Sequence, residues 1–179
     1  MKYVAIIFLC LTVGNIYGQK TLITKSSTTS FYSHAPLEDI EAINSQTTAA
    51  LDLAKKEIVV KMLIKHFTFE NALMQEHFNE NYMESEKFPS SIFKGSFSSS
   101  QGVDLNVDGT YEVEVAGEIT IRGIQKPVNC KATMIVKDRT LKATTKFVLK
   151  PKDFDIDIPS VVVKNIAEEI EITSELVFK

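Results

Sequence analysis

Beyond residue 20, this chain is written almost throughout in a period of two. Ile58, Val60, Met62 and Ile64 share one phase, opposite Glu57, Lys61 and Lys65. Tyr111, Val113, Val115, Gly117, Ile119 and Ile121 oppose Glu112, Glu114, Glu118 and Arg122. Val128, Cys130, Ala132, Met134 and Val136 oppose Lys131 and Lys137, and Leu141, Ala143, Phe147 and Leu149 oppose Lys142 and Lys146. Ile170, Ile172, Leu176 and Phe178 oppose Glu169, Glu171 and Glu175. Successive side chains on a strand point to opposite faces, so the pattern predicts an antiparallel sheet with one apolar and one wet side.

Strands are expected near 20–32, 40–53, 57–67, 92–99, 110–122, 127–137, 140–150 and 165–178. About eight strands is the number at which a closed barrel just holds side chains or one ligand. Closure also removes the exposed edges that long strands otherwise present. The expected class is all-β: a closed eight-stranded antiparallel barrel. Gly123-Ile-Gln-Lys-Pro127 reads as a turn with Pro127 at a strand start, because proline cannot donate to a ladder. Asp153, Asp155 and Asp157 alternate with Phe154, Ile156 and Ile158 and read as a strand with a solvated acidic face. A calcium loop is excluded there, since Ile158 stands where glycine is needed and Lys164 where glutamate is needed.

One stretch breaks the alternation. Residues 66–94 are dense in Phe, Met and Tyr. Leu73, Met74, His77, Phe78 and Tyr82 recur at three- and four-residue spacing, the stripe of a short helix. A helical insertion is therefore expected around residues 70–86, and Pro89 returns the chain to extended structure. A barrel with an apolar interior has a use for such a plug.

The first eighteen residues follow the secretory signal pattern, with Lys2, an apolar run from Tyr3 to Val13, and Asn15-Ile16-Tyr17-Gly18 before the cut. The run is too short to span a bilayer. The expected organisation is a signal peptide over 1–18 and one barrel domain over 19–179, exported to the periplasm or beyond. The formal charge is −3, becoming −4 without Lys2. A mildly acidic chain without basic runs is a poor partner for nucleic acid or anionic membrane surfaces. Only Cys130 survives cleavage, so no intrachain disulfide is available. Cys130 lies in the apolar phase and has no local histidine to activate it, which favours a small buried residue over a nucleophile.

Catalytic constellations are scarce. No Gly-x-Ser-x-Gly elbow and no phosphate-binding glycine loop occurs. Glu76, His77 and Glu80 form the one acid–histidine cluster with helical spacing. It lacks a third convincing metal ligand, so neither a metal nor a catalytic residue is assigned. The rival class is an enzyme centred on His77; a filled barrel presenting Val59 and Leu63 to a partner is a third reading. What remains is apolar capacity. The inward phases carry Met62, Ile64, Phe93, Val113, Val115, Met134 and Phe147. The insertion and its flanks add Phe67, Phe69, Leu73, Met74, Phe78, Tyr82 and Met83. These are the candidate ligand-binding residues. At about 0.3 kcal/mol per non-hydrogen atom, a tail of roughly 30–40 carbons gains about 9–12 kcal/mol without a polar network, while a metabolite of about ten atoms gains about 3. The expected ligand is a long-chain apolar lipid. No other cofactor is expected, and a homodimer is compatible with the reading.

Leu73-Met-Gln-Glu-His-Phe-Asn-Glu-Asn-Tyr82, Met83-Glu-Ser-Glu-Lys-Phe-Pro89 and Phe93-Lys-Gly95 resemble the YceI-like family. Gly117-Glu-Ile-Thr-Ile-Arg-Gly-Ile-Gln-Lys126 and Asp153-Phe-Asp-Ile-Asp-Ile-Pro159 are similar to further stretches of it. The resemblance implies an exported lipocalin-like barrel whose interior holds polyisoprenoid chains such as isoprenoid quinones, and no established catalytic residues. It departs at the start, where Ser26-Ser27-Thr28-Thr29 stands in place of an apolar strand.

Overall fold

The computed structural model describes residues 21–179; the expected signal segment lies outside the described residues. Nine strands run in chain order: β1 (Thr21–His34), β2 (Asp39–Asp52), β3 (Glu57–Leu63), β4 (Phe67–Phe69), β5 (Ser90–Ser98), β6 (Gly109–Ile121), β7 (Ile124–Lys137), β8 (Thr140–Leu149) and β9 (Ile170–Phe178). Every pairing is antiparallel. The circuit β1-β9-β8-β7-β6-β5-β3-β2 closes because β2 pairs back onto β1. The wall is thus an eight-stranded barrel, as the alternation requires. The run expected as one strand over 57–67 is broken by a 3-10 turn at Ile64–His66, after which the short β4 pairs with β2.

The insertion is a helix α1 (Ala72–His77) that runs into a π-helical turn at Phe78–Tyr82. Asn71 caps α1, its side-chain oxygen accepting from the Leu73 and Met74 amides. That satisfies donors which a helix start otherwise leaves unpaired.

Two local expectations are corrected. The turn between β6 and β7 is Arg122-Gly123, not Gly123–Pro127, and Pro127 lies inside β7 opposite Glu118. Arg122 (φ 49°) and Gly123 (φ 77°) adopt the left-handed backbone that a two-residue hairpin needs. Pro127 is tolerated because the β7–β8 ladder begins only at Ala132, leaving no β8 partner there for its missing donor. The Asp153–Ile158 segment is not a strand. It is a 3-10 turn over Pro151–Phe154, then Asp155 at φ 52° and irregular chain. Ile156 and Ile158 still face inward.

One end of the barrel is solid. Leu22, Leu51, Phe97, Tyr111, Leu141 and Phe178 are buried there in one cluster, Leu51 and Leu141 completely. At the other end stand the insertion and the long connection from β8 to β9. Between them Phe93 lies across paired glycines. A Cβ on Gly95 or Gly117 would come within 2.6 or 2.7 Å of the Phe93 Cζ, so only glycine admits the ring.

Away from Leu22 and Leu51, β1 and β2 bury mainly hydroxyls and amides. A register shift near Ser27 interrupts their ladder. Ser27 accepts from the Val177 amide, Thr29 bonds Ser174 at 3.0 Å, and Asn44 donates to the Leu63 carbonyl at 2.9 Å. Short polar side chains thus complete a wall that the backbone leaves imperfect.

Candidate functional site

The barrel holds an elongated cavity of about 460 Å³, within the range of ligand pockets. Its floor is Ile58, Val60, Ala132, Met134, Ala143 and Leu176, the inner surface of the solid end. Its middle is walled by Val115, Ile119, Phe147 and Phe93. Its mouth is framed by the insertion on one side and Ile156, Ile158, Val162 and Ile166 on the other.

Of the residues singled out from sequence, Met62, Ile64, Phe67, Phe69, Leu73, Met74, Phe78, Tyr82, Met83, Phe93, Val115, Met134 and Phe147 all border this cavity. Val113 does not; it is buried in the solid end beside Tyr111 and Ala132. Leu73 sits at the rim and is 56% exposed. The outward residues Val59 and Leu63 are partly exposed on the far face of β3.

The mouth-side wall is a cluster of four phenylalanines. Phe78 lies 5.4 Å from Phe31, 5.7 Å from Phe67 and 5.1 Å from Phe69, centroid to centroid, with tilted and edge-on geometry. Such pairs add about 0.5–1.5 kcal/mol beyond area burial. The cluster fastens the π-turn to β1 and β4.

Sequence reasoning missed Phe31 and the contribution of the β8–β9 connection. Phe31 sits among Ser and Thr, so no apolar run announces it. Phe154, Ile156 and Ile158 show their inward phase in the sequence, but that alternation suits a strand equally well, and a 3-10 turn and the irregular chain after it carry them instead.

Charge is nearly absent from the lining. Glu38 is the one carboxylate and His77 the one imidazole among the described lining residues. Glu38 accepts from Asn165 at 3.1 Å. His77 is exposed, as are Glu76 and Glu80. Burial raises the Tyr82 phenol pKa, so it faces the cavity uncharged. Among the described residues no three His, Cys, Asp or Glu side chains gather as a metal site. No helix among them is long and apolar enough to cross a membrane. A lining this poor in charge favours burial of an aliphatic chain.

The YceI-like domain model matches residues 21–178. BcnA from Burkholderia cenocepacia is structurally similar, at 18% identity over 84% of this chain and 95% of that one (TM-score 0.69). So is a polyisoprenoid binding domain from Saccharophagus degradans implicated in plant cell wall breakdown, at 9% identity over 89% and 97% (TM-score 0.74). The YCEI protein of Campylobacter jejuni matches at 16% identity over 99% and 93% (TM-score 0.55). No curated protein matches the sequence.

Proposed function

This chain belongs to the YceI-like domain family, and from that premise we propose that it is an exported binding protein whose barrel holds one long apolar lipid. The observation that carries the reading is the apolar cavity running from the mouth to the solid floor, with one carboxylate and one imidazole in its lining. Hydrocarbon buried there gains about 25 cal/mol per Å² removed from water, and a chain supplies that area without polar partners. The candidate binding residues are those named above at the cavity wall. The similar Saccharophagus domain, described as polyisoprenoid binding, favours an isoprenoid tail. The signal pattern over 1–18 supports export.

The chain has no tryptophan, so a single introduced one is a clean reporter. Phe147→Trp places it in the middle of the wall. An isoprenoid quinone should quench its emission to saturation at one equivalent, while the same quinone ring without a tail should not at equal concentration. No quenching by the tailed quinone refutes the reading, and equal quenching by both refutes the role of the tail.

A further inference from the structure

Around the mouth, neighbouring strands are laddered almost to their ends. Tyr32 pairs with Glu171, Ala42 with Phe69, Leu63 with Ser90, Ile92 with Thr120, Ile121 with Ile124 and Leu149 with Ile170. β7 and β8 are the exception. Their ladder runs from Lys137↔Thr140 to Ala132↔Thr145 and stops, where the Thr145 hydroxyl donates to the Lys131 carbonyl at 2.7 Å. Beyond that point the same register would set Asn129 against Val148, but the strands part. Residues 126–130 and 146–150 face each other across a cleft of about 400 Å³.

The cleft and the internal cavity share a wall. Val128, Cys130, Phe147, Leu149 and Phe154 border both. Phe154 is 2% exposed and stands between them, carried on the 3-10 turn that leaves β8. The open end, in contrast, is tied. Arg122 joins Glu84 of the insertion to the Asp155 carbonyl of the opposite connection. Leu37 donates to the Lys164 carbonyl at 3.1 Å, and the Ala167 amide donates to Ser33 at 2.9 Å. Parting any other strand pair at the mouth breaks ladder bonds. Parting this one breaks none beyond Thr145, and local opening follows the path with the fewest bonds to lose.

We propose that the unladdered half of the β7–β8 seam is a side portal through which an aliphatic lipid tail slides into the cavity, with Phe154 as its gate. The inference rests on the lipid-binding reading above. A tail can enter sideways while its head group stays in water or in a membrane surface, so the end covers need not lift. Swinging Phe154 aside exposes Val128, Phe147 and Leu149 as a continuous apolar track.

Asn129→Cys with Val148→Cys tests this, because a disulfide between them closes the seam. Transfer of an isoprenoid quinone from phosphatidylcholine vesicles is followed by stopped flow, with the oxidised and reduced forms of one preparation compared. Oxidation should slow uptake and release together by about tenfold or more, the effect of about 1.4 kcal/mol on a barrier. Affinity should stay unchanged, since a route does not alter end states. Leu37→Cys with Lys164→Cys, which locks the end cover, should leave the rate as it was. Phe154→Leu, which keeps most of the buried volume, should speed exchange, and this arm stands even where the seam disulfide fails to form. Equal rates in the oxidised and reduced seam variant, or no gain with Phe154→Leu, overturns the portal. Slowing by the end lock instead places the route at the mouth. If the reduced and unaltered proteins take up no quinone, it is the lipid-binding reading that fails.

Discussion

Arg122 reaches across the mouth of the barrel to Glu84, and the two are held there by backbones in the left-handed region at φ 49° and φ 45°. Arg122 comes from the β6–β7 hairpin and Glu84 from the end of the insertion. With its other arm Arg122 donates to the Asp155 carbonyl, so one guanidinium ties both covers of the cavity to the wall. Arginine suits the task because its fork serves two acceptors at once.

The guanidinium beside Glu84 holds its carboxyl below the ordinary value of 4.5. A depressed folded pKa stabilises the native state above the unfolded value and loses that contribution as pH falls through the folded one. The melting temperature should therefore be higher for the unaltered protein than for Glu84→Gln near neutrality. The gap should shrink below pH 4.5 and vanish under the lowered pKa. A gap independent of pH would show that the pair does not act through charge.

Phe78 is half-buried, with ring neighbours on one side and the cavity on the other. Phe78→Ala should cost less than the about 3–5 kcal/mol of a fully packed phenylalanine. It should nevertheless weaken binding of an isoprenoid quinone, because the mouth-side wall loses its central ring. Urea unfolding and the tryptophan titration measure the two effects separately.

Gly117→Ala drives a methyl group onto the Lys94 carbonyl and the Phe93 ring. The β5–β6 backbones must separate or the ring must leave its place. The expected cost is about 1–3 kcal/mol, as for overpacking. The ring's departure reshapes the middle of the cavity. Chemical denaturation reads the first, and a crystal structure of the variant reads the second.

Asn44 is wholly buried, donating to Leu63 and accepting from the Gln46 amide. Asn44→Ala leaves both backbone groups without a partner, at about 1–3 kcal/mol for an unsatisfied buried group. Asn44→Asp keeps the acceptor and loses the donor, and should be intermediate or worse because it buries charge. Equilibrium unfolding of the pair ranks them.

Where apolar and charged residues alternate cleanly, as in β3 and β6–β9, the sequence shows which face is inside. The cavity wall followed from that phase, together with the aromatic insertion. β1 and β2 are less legible, because apart from Leu22, Ala42, Ala49 and Leu51 their buried positions are Thr24, Ser27, Thr29, Ser33, Asn44 and Thr47. Hydroxyls there mend a ladder broken by a register shift, and a hydropathy pattern records polarity without revealing the bond that satisfies it. The Asp153–Ile158 segment shows the opposite error. Its period of two is real, but Pro151 and Pro159 withhold donors and Asp155 turns left-handed, so no partner strand can form. Val113 was one register step too deep. Phase assigns a face, but the height at which solid core gives way to cavity is set by Met134, Ala132 and Ala143 on neighbouring strands.

The central claim is that the barrel carries a long apolar molecule. Native mass spectrometry of the protein purified from a membrane-bearing host tests it most directly. The account predicts a species heavier than the polypeptide by one lipid, displaced or supplied by an offered isoprenoid quinone. A bare polypeptide mass in every preparation, unchanged when the quinone is offered, would contradict it.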